Sequence, residues 1–303
     1  MSVNSREALA SLNILACVAM ADGKIHENER TALTVALESV ARLEDADMAD
    51  IQSVDQLLHN VKAEHLSEYT SMVASPAARE LAYNTAFAMA NVDGDCDPTE
   101  QKVLDILQER FAVPERKTKT LLHILSNMRQ IFHRQSQVVP ISDATARQRA
   151  TAELSLHYAT LCAMFWVFPT LNVAIAPDIL VCTYQCQMIQ EIGICWQFAP
   201  EQIDAYAILK GVISGMNIAG FRDPASNLTK MVPTGATIGG VANTYANTWA
   251  LADSVNLYFS QVSQGKEADM TMINQHFRSA CERGMQLYKE NADEVRQKMA
   301  SLK

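Results

Sequence analysis

Asp93, Asp95, Asp97 and Glu100 place four carboxylates within eight residues, in the stretch Val92-Asp93-Gly94-Asp95-Cys96-Asp97-Pro98-Thr99-Glu100. Carboxylates this crowded repel one another unless water or a cation screens them. Their oxygens suit hard divalent cations such as Ca²⁺ or Mg²⁺. A less acidic version lies upstream as Ala21-Asp22-Gly23-Lys24-Ile25-His26-Glu27-Asn28-Glu29. Asp22 aligns with Asp93, Gly23 with Gly94, His26 with Asp97, and Glu29 with Glu100. The candidate metal ligands on this reading are Asp93, Asp95, Asp97 and Glu100. The same residues have a structural reading. Asp-Gly supplies a turn, because glycine accepts positive φ without a Cβ clash. Asp97 reads as an N-cap, Pro98 fits the first helical position, and Glu100 completes a capping box. Caps explain Asp97 and Glu100 but not the crowding of Asp93 and Asp95, so both readings stand. The stretch is not an EF-hand. Counted from Asp93, the sixth position is Pro98 in place of Gly and the twelfth is Leu104 in place of Glu.

Other chemistry is thinner. Gly235-Ala236-Thr237-Ile238-Gly239-Gly240 lacks the Lys and Ser/Thr of a phosphate-binding loop. Neither a GxSxG elbow nor an HExxH pair occurs. His157 beside Tyr158 reads as a core histidine. Cys195 beside Trp196 has no activating cation nearby in sequence. Asp178 after Pro177 reads as an N-cap, and Glu191 and Asp253 as helix-edge or paired carboxylates. No catalytic residue is assigned, and an enzyme is not expected.

The elements that must position these residues are helices. Each acidic stretch follows an apolar helix ending in Ala-Met-Ala, at Ala19–Ala21 and Ala88–Ala90, and precedes another helix. The repeated unit is helix, Asp-Gly turn, helix. Apolar positions recur at helical spacing, and Ala, Leu, Met, Gln and Glu dominate between breaks. Helices are expected near 4–20, 27–43, 48–61, 63–74, 76–91, 98–111 and 115–134. Further helices are expected near 144–168, 178–196, 200–217, 235–262 and 267–300. The fold class is all-α. Residues 1–135 form a first domain, 136–146 a linker, 147–265 a more apolar second domain, and 266–303 a C-terminal helix.

With 303 residues and 49% hydrophobic content, the chain is long for one core, and two domains is the natural division. A net charge of −9 repels phosphate backbones, so no nucleic acid partner is expected. Seven cysteines without framework spacing point to buried thiols in a reducing compartment. The first residues lack the basic start and apolar core of a signal peptide, so a cytoplasmic location is expected. From Arg116 to Arg149 the charge reverses: Arg116, Lys117, Lys119, Arg129, Arg134, Arg147 and Arg149 meet only Asp143. This is a solvated helix face, or a contact for anionic lipid or an acidic partner. No formal charge separates Glu153 from Asp178, but Pro169 and Asn172 interrupt the run. A spanning helix needs about 20 apolar residues, so a buried core helix competes with insertion into, or docking on, a membrane.

The duplicated apolar helix followed by Asp-Gly and a later Glu resembles the TerB family, over about residues 1–135. That resemblance implies a compact helical fold, links to tellurite resistance and stress responses, and a divalent metal held by acidic residues. The matching positions here are Asp22, Glu29, Asp93 and Glu100, with His26 a departure that makes the first loop less acidic. Residues of about 150–262 are similar to the uncharacterised helical domain of YcjF-type membrane-associated proteins, also found behind Era-like GTPase domains. The order of pieces carries this: Ala176-Pro177-Asp178, then Gln185-x-Gln187-Met188-Ile189, then Val232-Pro233-Thr234-Gly235, Thr244-Tyr245 and Tyr258-Phe259. The expectation is a non-enzymatic, stress-associated interaction protein. Its acidic loops would bind a divalent cation, and its second half would dock on a protein partner or the inner face of a membrane. The alternatives are a membrane protein accessory to a separate GTPase, and a metal-dependent, hydrolase-like enzyme.

Overall fold

The structure, a computed structural model, describes residues 5–41, 51, 53–91, 96–132, 138–165, 176–213 and 238–300. Among them every regular element is helical, so the all-α class holds. The chain divides into two compact units.

The first unit is built around α1 (Ser5–Ala19) and α5 (Pro76–Met89). Both are rich in alanine and are buried on most of their faces, as helices at the centre of a bundle must be. Helix α1 packs against α2 (Glu27–Val40), α3 (Val54–Asn60), α4 (Leu66–Met72), α5 and α6 (Pro98–Arg110). Local chemistry sets the starts of these elements. The Ser53 Oγ accepts from the Gln56 amide, and the Ser75 Oγ from the Ala78 amide with Pro76 opening the helix. The helix expected over 48–61 thus begins at Val54, because Ser53 caps it; residues 42–50 lie outside the described residues. Helix α7 (Glu115–Phe132) is held by a hydrogen bond between the Tyr83 and Thr118 hydroxyls at 3.0 Å and by an ion pair of Lys117 with Glu80.

The second unit contains α8 (Ala144–Met164), the later turns of α9 (Ala176–Cys195), α10 (Ala205–Ile213), α11 (Ile238–Val262) and α12 (Met270–Ala300). Helix α11 is the central piece, packed on α8 and α12. Ala159, Ala163, Val241, Ala242, Tyr245, Tyr288 and Val295 form one buried cluster there. The crossing of α11 and α12 depends on Gly284: a Cβ at that position would stand 2.6 Å from the Ala246 carbonyl oxygen. Gln185 and Thr248 satisfy each other inside this apolar setting, with Nε2 donating to Oγ1 at 3.0 Å.

Asp143 caps α8, its Oδ1 accepting from the Ala146 amide at 2.7 Å. The expected linker over 136–146 therefore gives way to helix at Ala144. Its end is also fastened down. The Ile141 amide donates to the Cys195 carbonyl at 3.2 Å, and the Arg147 guanidinium donates to the Ile141 carbonyl at 2.9 Å. Arg147 lies over the Trp196 ring at 4.1 Å, and the Trp196 indole N–H reaches Asn256 Oδ1 at 3.1 Å. Two further expectations change. Helix α9 begins at Ala176, which puts Asp178 in its first turn and not at its cap. The helix expected over 200–217 is a 3-10 turn at Pro200–Gln202 followed by α10 from Ala205. No described helix is long and apolar enough to cross a membrane.

Candidate functional site

The helices that follow the two Asp-Gly pairs of the first unit start in the same way. At the first, Gly23 adopts φ +81° with no atom within 4 Å of a Cβ placed there, so conformation and not space calls for glycine. The Asp22 Oδ1 accepts from the Lys24 amide at 2.8 Å and holds the turn. Glu29, at the third position of α2, folds back so that its Oε2 accepts from the His26 amide at 2.7 Å. At the second junction Glu100, at the third position of α6, accepts from the Asp97 amide at 2.8 Å. Both glutamates are buried, at 4% and 7% exposure. Among the described residues the repeat is thus one of helix-start geometry, at Glu29 and Glu100.

Asp97 does more than His26. Its Oδ1 accepts from the Thr99 amide at 2.7 Å and from the Thr99 hydroxyl. The hydroxyl first, then the amide, hold its carboxyl below the ordinary aspartate value. Cys96 is half-buried beside it, with its Sγ 3.8 Å from Gln101 Oε1. Asp93 and Asp95 lie outside the described residues. Among the described residues, no group of three or more His, Cys, Asp or Glu side chains is arranged to hold a metal ion. The structure therefore brings Glu29 to the backbone of His26 and Glu100 to the backbone of Asp97, while Asp22 stays exposed.

Glu7 was not singled out by its sequence context. It is buried on α1, and its Oε1 accepts from the Ala74 amide at 3.0 Å and the Ser75 amide at 2.7 Å. Those amides lead into α5, so Glu7 joins the N-terminal ends of the two repeat copies.

Residues 7–123 match the family model for tellurite resistance protein TerB. No curated protein and no solved structure matches the chain. The TerB match takes in α1 through the first half of α7 and with them both Asp-Gly pairs, so it falls on the stretch where the resemblance was read. It stops short of the second unit, where nothing found supports the resemblance to YcjF-type proteins.

The remaining candidates are accounted for locally. Lys119 pairs with Glu115 at 2.8 Å in the first unit, and Arg147 is stacked on Trp196 in the second, whereas Arg116 and Arg149 are exposed. The Arg129 side chain and all of Arg134 lie outside the described residues. Asp253, read as a helix-edge or paired carboxylate, is paired: Oδ2 accepts from His276 Nε2 at 2.8 Å and from Arg283 at 2.7 Å. All seven cysteines are free thiols, with Cys195 buried. Burial pushes the Cys17 and Cys281 thiols up to about 12, the opposite of what a nucleophile needs.

Proposed function

We propose that this chain is a non-enzymatic, tellurite-resistance-associated protein whose TerB-type unit binds a divalent cation, Ca²⁺ or Mg²⁺, at its Asp-Gly junctions. The observation that carries the reading is the doubled junction within the TerB match, with a buried, ionisable glutamate fixed at the base of each. Capping alone would be served as well by glutamine. It also leaves Asp93 and Asp95 without a task. Glu7 ties the starts of the two repeat copies together, which supports their acting as a pair. Asp22, Glu29, Asp93, Asp95, Asp97 and Glu100 are the ligands in this reading. The free thiols support a reducing compartment, the cytoplasm. The second unit is read as a docking module for a protein partner or a membrane surface, on the YcjF-type resemblance alone.

Calorimetric titration of Ca²⁺, Mg²⁺ and Mn²⁺ into the metal-stripped protein tests this. The native chain should bind saturably, and the Asp93→Asn/Asp95→Asn variant should lose that binding. Absence of binding by the native protein at about millimolar metal, where weak protein sites still fill, would reduce the junctions to turns and caps.

A further inference from the structure

We draw no further inference here: the strongest candidate, the shallow groove of the first unit between α4 and α6 where Leu66 and the 43%-exposed Ile106 meet Glu64 and Glu109, is a partly apolar face with nothing in the structure to show what covers it.

Discussion

Glu29 and Glu100 each place one carboxylate oxygen on the amide that opens their own helix, satisfying a donor that the helix cannot satisfy itself. Asp97 completes the second junction, and its depressed carboxyl value makes it sensitive to acid. A carboxylate whose folded value lies below the unfolded one stabilises the fold above about pH 4, the ordinary aspartate range. That contribution is lost as pH falls through the folded value. Asp97→Asn keeps an acceptor for Thr99 but removes the charge. Urea unfolding of native protein and variant should therefore differ near neutrality and converge under acid. A gap that stays constant down to the lowest pH would show that Asp97 does not titrate with folding. This residue-level chemistry was readable in advance, because Asp97, Pro98 and Glu100 occupy fixed helix-start positions in one local segment. The partners of Asp253 were not readable, since His276 and Arg283 come from the next helix and only packing selects them.

Helices follow from apolar spacing and cap residues, which act over four or five positions, and their centres agree closely with the sequence reading. What the sequence hides is how helices meet. Glu7 in α1 looks like any first-turn acid, and its partners lie 67 and 68 residues away. Glu7→Ala would remove the acceptor of the Ala74 and Ser75 amides, at about 1–3 kcal/mol for the two hydrogen bonds together. Denaturant unfolding should show that loss, with Glu7→Gln recovering much of it because its amide oxygen accepts in the same place. If Glu7→Ala unfolds at the native midpoint, the tie between the repeat copies has no energetic weight. Gly284 makes the corresponding statement for α11 and α12. A methyl there meets the backbone of Ala246, which cannot rotate away, so Gly284→Ala should destabilise by about 1–3 kcal/mol. An unchanged melting temperature would mean that the two helices separate without penalty. Gly284 sits in a polar, periodic helix, and nothing local marks it as a contact.

On the scale of the whole molecule, each unit has its own buried core: one around α1 and α5, the other around α11. Separate cores predict separate cooperative transitions. Scanning calorimetry should resolve two, with Glu7→Ala lowering one and Gly284→Ala lowering the other. A single transition shifted by both variants would show that the units unfold as one. The sequence reading expects a repeat-bearing first part and an apolar second part, while the compact units divide at Ser126 and Asn127. The docking of the linker end was not legible in the sequence, because Ile141 and Arg147 find Cys195 and Trp196 only after the chain has folded back.

The stacking of Arg147 on Trp196 and the approach of Arg283 to Trp249 at 5.9 Å have an optical consequence. The three tryptophans are Trp166, Trp196 and Trp249, and none falls in residues 1–126. Indole emission therefore arises outside residues 1–126, whose own tyrosines are Tyr69 and Tyr83. Filling the acidic junctions should leave that emission unmoved, while loosening the Arg147 cover should change it at once.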